Sequence, residues 1–271
     1  MRKLQFFISI LLLTGKILTG QPENETLILI KTNYGDITVK LYDKTVEHKK
    51  NFLKLVNRNF YDSVLFHRVI KDFMIQAGDP NSKDGASETQ PGRGSADYTV
   101  KPEFFPEYYH KRGALAAARQ NDRVNPEKRS SSSQFYIVQG EIYTQGKLDT
   151  ILMMKNQNLR QQIFNSEIQK AAAQLQRLKE QNNREGYNQL ADKMRQNSDS
   201  LYEITEKYEL TKEQRQVYTT AGGYPSLDGD YTVFGEVVNG MEVADKIAGV
   251  ETGAANRPLK DVIIFGMEVV K

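Results

Sequence analysis

From Lys147 to Tyr218 the chain runs for 72 residues without a proline and with a single glycine, Gly186. Nothing in that stretch forces a helix to stop, since proline is the residue that removes an amide donor and clashes with the preceding turn. Phe164, Ile168, Ala171, Leu175 and Leu178 recur there at steps of three and four. So do Tyr187, Leu190, Met194, Asn197, Leu201, Ile204 and Tyr208. That spacing puts each set on one face of a helix. Asn182, Asn183 and Gly186 fall between the stripes, so the sequence predicts a helical hairpin in which each stripe covers the other. Thr211 and Gln214 stand at capping-box spacing and predict one further short helix. Whatever the remainder folds into must let an arm of this length leave and return.

The flanking residues follow another rhythm. LILIKTNYGDITVKLY (27–42) alternates β-formers around Asn33-Tyr34-Gly35-Asp36 and reads as two strands and a turn. A helix capped by Thr45 runs through VEHKKNFLKLVNR, with Phe52, Leu53 and Val56 as its stripe. Residues 81–112 are rich in Gly, Pro and Ser and predict a long surface loop. GALAAA (113–118), SQFYIV (133–138), YTVFGEVV (231–238) and DVIIFGMEVVK (261–271) are further strands. GMEVADKIAG (240–249) is a short helix stopped by Gly249. Many short strands and few helices predict a mainly β fold, a barrel capped by two helices, with the helical hairpin inserted into it.

Bulk chemistry excludes several functions. Hydrophobic content of 39% and charged content of 26% are ordinary for a folded soluble domain. A formal charge of +3 is too small to argue for nucleic acid. There is no cysteine, so disulfide and thiolate chemistry are out. The three histidines, His48, His67 and His110, are not spaced as ligands, and neither a metal nor a cofactor is expected. The first twenty residues place Arg2 and Lys3 before an apolar run from Leu4 to Leu13, the layout of a secretory signal. Cleavage near Gly20 and retention as an inner-membrane anchor are both compatible with that layout, and an exported, periplasmic chain follows. The membrane is then touched only through an uncleaved leader.

One stretch poses a question. FHRVIKDFMIQAGDP (66–80) sets Arg68 and Gln76 among Phe66, Val69, Ile70, Phe73, Met74 and Ile75. On plain core faces each buried polar group would need a partner or would cost a few kcal/mol. With SSQFYIV, LDGDYTVFGEV and GMEVADKI in the same order, the chain resembles the cyclophilin family of peptidyl-prolyl isomerases over about 27–139 and 219–271. The resemblance implies a closed eight-stranded barrel built from 22–139 and 219–271, with 140–218 as a helical insertion.

It also implies site residues. Arg68 becomes the catalytic arginine, and Gln76 the amide that holds the substrate backbone. Phe73, Met74, Tyr136 and Leu227 line a proline pocket, with Tyr136 where the family usually carries phenylalanine. Ala118 and Arg119 fall on an edge strand that pairs with the peptide, and Gln134 is a further substrate-binding residue. Tyr231 stands where many members have histidine. Ser226 replaces a tryptophan that contributes to cyclosporin binding, which argues against tight affinity for that ligand. The implied substrates are proline-containing polypeptides.

Blander readings exist for each residue. Arg68 alone would be an ion-paired surface residue, and Phe73 and Met74 alone would be core. His67 reads as a structural histidine hydrogen-bonded inside the barrel, since rotation about an imide moves no proton. From another class, the arm could make the chain a peptide-binding chaperone or interaction module, with a protein partner on the arm and residual isomerase activity. Four serines at 130–133 lack a positioned His/Asp partner, which disfavours a hydrolase.

Overall fold

The alternation in 27–42 resolves, in a computed structural model describing residues 25–85, 92 and 94–270, into an antiparallel pair, β1 (Thr26–Thr32) and β2 (Gly35–Leu41). Ile28, Ile30, Ile37 and Val39 share its inner face and are fully buried, because successive strand side chains point to opposite sides. The leader lies outside the described residues. Helix α1 (Val46–Val56) then buries Phe52, Leu55 and Val56. Thr45 does not cap it: the hydroxyl turns back onto the Tyr42 carbonyl at 3.1 Å.

The 66–80 stretch forms β3 (Arg68–Ile70) and β4 (Met74–Ala77), joined by a turn with Asp72 at φ 60°. Asp tolerates that left-handed conformation better than most residues. Next come β5 (Thr99–Val100), β6 (Ala114–Ala117), β7 (Ser130–Ser131) and β8 (Phe135–Val138), with β5 and β7 pairing in a ladder of their own.

The chain leaves the sheet after β8 into α2 (Gln145–Glu180), α3 (Arg184–Ile204) and α4 (Lys212–Thr220). Thr211 and Gln214 form the predicted capping box. Asn182 takes φ 55° and the Asn183 side chain accepts from the Gly186 amide, closing the expected hairpin. The stripe seals only its middle, where Ala171, Leu175 and Met194 pack with Ile168 and Leu190. Ile204 is 82% exposed. Tyr208, counted in the helical stripe, lies beyond the end of α3, and its backbone is held by the Asn156 carboxamide. At its base the arm sits on a small core of Tyr143, Leu148 and Tyr218.

Exit and return are side by side. Glu141 N–H donates to Gly223 O at 3.1 Å, and Gly223 N–H to Glu141 O at 3.0 Å. A side chain at Gly140 would collide with the Gly223 backbone, so this close approach needs glycine. The chain then completes the body with β9 (Val233–Asn239), α5 (Met241–Ala248) and β10 (Ile264–Val270). Tyr231 therefore precedes its strand rather than starting it.

Eight strands run in the order β10-β1-β2-β9-β6-β8-β4-β3. The predicted closure is not reached: the sheet curls, but no continuous ladder joins β3 to β10. Arg68–Ile70 is too short to span the seam, and Ser63, at φ 64°, breaks the extended run before it. A Leu65–Ile263 bridge and the Phe66 N–H to Val262 O bond, 2.8 Å, tie the edges instead. Inside the curl, Phe52, Tyr61, Phe66, Phe135 and Phe234 form an aromatic cluster packed largely edge-to-face or tilted. Both α1 and α5 cover that core, as expected of two capping helices.

Candidate active site

Strand register places the singled-out residues before any side chain is considered. Arg68 pairs with Gln76, Gln76 with Tyr136, Tyr136 with Ala116, and Ala116 with Val233. These five make one row across five strands and therefore point to one face. The neighbouring row, Val69, Ile75, Ile137, Leu115 and Gly235, points the other way, into the main core. A sheet that is apolar on both faces needs cover on both. On the outer face Met74, Ala116, Ala118, Tyr136 and Val233 are buried, and Phe73, Leu227 and Tyr231 pack against them while staying half-buried. The question posed by residues 66–80 thus has its answer: Arg68 and Gln76 border a partly open apolar patch, not dry core.

A polar relay fixes the arginine. Arg68 Nη1 donates to Gln76 Oε1 at 3.1 Å, Gln76 Nε2 donates to Gln134 Oε1 at 2.8 Å, and Gln134 Nε2 donates to the Gly94 carbonyl at 2.6 Å. The far end of the relay is organised by Asp79, fully buried, whose carboxylate accepts the amides of Asn81, Gly92 and Gly94. Gly78, at φ 95°, has its backbone so close to Ser133 that a Cβ would collide, which brings the end of β4 within reach of Gln134.

One expectation, an edge strand at Ala118 and Arg119, needs correction. Ala118 is not on an edge: β6 lies between β9 and β8, and the Ala118 amide and carbonyl are taken by Gln134 O and Ser131 N at 3.0 and 2.8 Å. Arg119 follows β6 with its side chain only 4% exposed, bonded to Asp230 O at 2.6 Å and Asp122 at 2.6 Å and stacked over Tyr231. Its guanidinium therefore builds the wall rather than reaching outward. Gln76 is engaged on both sides of its amide, which leaves one N–H for anything else.

His67 departs from expectation too. It is buried, yet neither ring nitrogen finds a hydrogen-bond partner among the described residues. Burial lowers its pKa from 6.5 to about 4, against the opposing charge of Asp79. The ring is therefore neutral at physiological pH.

Other residues at the site went unread in the sequence. His110 Nδ1 lies 2.9 Å from Asp228 Oδ1, its Nε2 lies 3.0 Å from the Tyr136 hydroxyl, and Tyr218 OH donates to Asp228 Oδ2 at 2.6 Å. A neutral imidazole that donates to Asp228 accepts the Tyr136 proton at Nε2. Burial pushes the Tyr136 phenol up, so it stays a donor. The signal available was Tyr136 itself, since a buried tyrosine hydroxyl needs a partner.

Lys155, on the arm, is the second. Its Nζ donates to Ser226 O (3.1 Å), Asp228 O (2.8 Å) and Asp230 Oδ2 (2.7 Å), and it lies 4.3 Å from the Tyr208 ring. All three ammonium protons are thus placed on the loop that carries Leu227. Burial opposes ionisation of Asp230, but the ion pairs from Lys128 and Lys155 outweigh it and hold the carboxyl below its usual range.

Comparison with known proteins agrees with this fold. The family model described as cyclophilin type peptidyl-prolyl cis-trans isomerase/CLD matches residues 27–181 and 204–269. A Streptococcus pyogenes protein named as a bifunctional phosphatase/peptidyl-prolyl cis-trans isomerase is 32% identical over 91% of the chain, which spans 40% of that relative's length. A Staphylococcus epidermidis protein, whose name assigns it to the peptidyl-prolyl cis-trans isomerases, is 30% identical over 91% of the chain and 93% of its own length. A Cryptosporidium parvum cyclophilin type isomerase superposes with a TM-score of 0.53 at 19% identity, covering 91% of this chain and 98% of that one. The same protein in the presence of the dipeptide Ala-Pro gives 0.51, over 90% and 99%. Sequence family, sheet order and relatives converge, and the chain belongs to the cyclophilin-type peptidyl-prolyl cis-trans isomerase family.

Proposed function

We propose that the chain catalyses cis–trans rotation about Xaa-Pro bonds in polypeptides, with Arg68 acting on the proline nitrogen. The reaction breaks no covalent bond; amide resonance alone sets a barrier of about 18–20 kcal/mol. A catalyst must therefore bind the twisted imide better than either planar form. On twisting, the proline nitrogen loses conjugation and becomes a hydrogen-bond acceptor. A guanidinium beside it donates only then, and the gain belongs to the transition state alone. Arginine suits this because it stays protonated and holds a rigid fork.

One observation carries the reading: Arg68 and Tyr136 belong to one cross-strand row with Gln76 between them. At about 4.8 Å per strand the two backbones stand about 10 Å apart, so the guanidinium and the tyrosine ring lie at opposite ends of a span the size of a proline residue. Phe73, Met74 and Leu227 continue the apolar surface against which the ring is held. The remaining Gln76 N–H is the donor for the substrate backbone. The solved relative with Ala-Pro supports proline peptides as substrates, and the leader-like first twenty residues support exported, partly folded chains as clients, for which this rotation is a common slow step.

The test is a protease-coupled assay on a proline peptide. Arg68→Ala is expected to lower kcat/KM by about a hundredfold or more, with cooperative unfolding retained. Wild-type rates in that variant would overturn the mechanism. Client binding by the arm is a second reading, favoured by the exposure of Ile204 and Met153. Holdase activity that survives Arg68→Ala but is lost in Ile204→Asp would support it.

A further inference from the structure

Between the first turns of α2 and the loop that carries Leu227 lies a cavity of about 300 Å³, open to solvent. From α2 it is lined by Ile151, Met154, Lys155, Asn158, Leu159 and Gln162, which step by three and four and so share one helix face. From the body it is lined by Tyr208, Ser226 and Tyr231, with Arg119, Asp122 and Asp230 at its polar side.

The charges in it are already matched to one another. Arg119 pairs with Asp122 at 2.6 Å and Lys155 with Asp230 at 2.7 Å. No charged ligand is called for by that arrangement. What faces the space otherwise is apolar or aromatic: Ile151, Leu159, the Tyr208 and Tyr231 residues, and Met154, whose flexible thioether side chain is 55% exposed. The exposed carboxamides of Asn158 and Gln162 stand at the rim, where a peptide backbone could bond to them. The volume is at the lower end for ligand pockets, a size for one side chain rather than a whole ligand.

Tyr231 decides the occupant. It packs against the apolar patch of Met74 and Tyr136, and it also lines this cavity. A polypeptide lying in the groove therefore meets the arm within a few residues of its proline. We infer that the cavity is a second subsite for that same polypeptide, taking one large apolar or aromatic side chain that flanks the proline. The inference rests on the isomerase reading and adds a substrate preference to it: the arm makes the enzyme selective for prolines with an apolar neighbour nearby in sequence.

The test uses the full chain and nonapeptides centred on Ala-Pro, alanine elsewhere except for one phenylalanine moved through the flanking positions. Cis–trans exchange is followed by NMR. Phenylalanine at one flanking position is expected to lower KM about tenfold relative to alanine there. Met154→Asp and, separately, Leu159→Asp are expected to bring that ratio back to near one, with helicity checked by circular dichroism. Equal KM across the peptide series, or a phenylalanine-to-alanine ratio unchanged in both folded variants, overturns the subsite while leaving the isomerase intact. Exchange in no peptide at all, or exchange indifferent to Arg68→Ala, overturns the isomerase reading and this inference with it.

Discussion

Arg68 and Gln76 face each other across the β3–β4 ladder, and the guanidinium is held by the Gln76 carbonyl oxygen at 3.1 Å while the amide nitrogen is held by Gln134. The arginine is thus aimed before any substrate arrives, and its aim passes through Gln76 to Gln134.

Gln134→Ala should therefore weaken catalysis through Gln76. A drop in kcat of about tenfold is expected, with Gln76→Ala and the double variant non-additive because both cut the same relay. Steady-state kinetics of the four proteins in the cycle measure this; full additivity would argue that the relay does not aim Arg68.

Tyr136→Phe keeps the ring that forms the floor of the patch but leaves His110 Nε2 without its partner, 3.0 Å away in the wild type. Stability should fall by about 1–3 kcal/mol, the usual cost of an unsatisfied buried polar atom. Turnover should change less than threefold. Urea unfolding beside the isomerase assay separates the two effects.

Lys155→Met removes three hydrogen bonds from the loop carrying Leu227. A rise in KM is expected, with a loss of about 1–3 kcal/mol in stability because two carbonyls and Asp230 lose a charged donor. Lys155→Arg should recover part of both. An unchanged KM would show that the arm does not hold the pocket wall.

His67 should make the fold acid-sensitive. In the unfolded chain it titrates near 6.5; in the fold its value is about 4, because burial penalises the charged ring. As pH falls through 6.5 the unfolded chain takes up a proton that the native one refuses until about 4. The stability present above 6.5 is lost over that window, by about 3 kcal/mol. Unfolding free energies at pH 7 and pH 4 should differ less by that amount in His67→Leu; an identical pH slope in the variant would refute the assignment.

Strand and helix periods told most of the architecture. The inward set Ile28, Ile30, Ile37 and Val39 and the arm's Ala171, Leu175 and Met194 follow directly from spacing. The outer row was harder: periodicity alone cannot say that Met74 and Tyr136 cover a second face, since a doubly buried strand has no polar side to mark it. Sheet closure failed because β3 is three residues long, a length no pattern reveals. His110, Asp228 and Lys155 were invisible for another reason. Their partners lie between 10 and 118 residues away, and only the fold brings them together.

The handle formed by Glu141 and Gly223 fixes where the arm departs and where it rejoins, to within two peptide groups. Strand register on either side is consequently insulated from the length of the excursion. Past Leu159, helices can grow, shrink or be exchanged for another module while the curled sheet keeps its geometry. Diversification in relatives should concentrate in that distal portion, and it is the natural place to graft a reporter or a targeting tag.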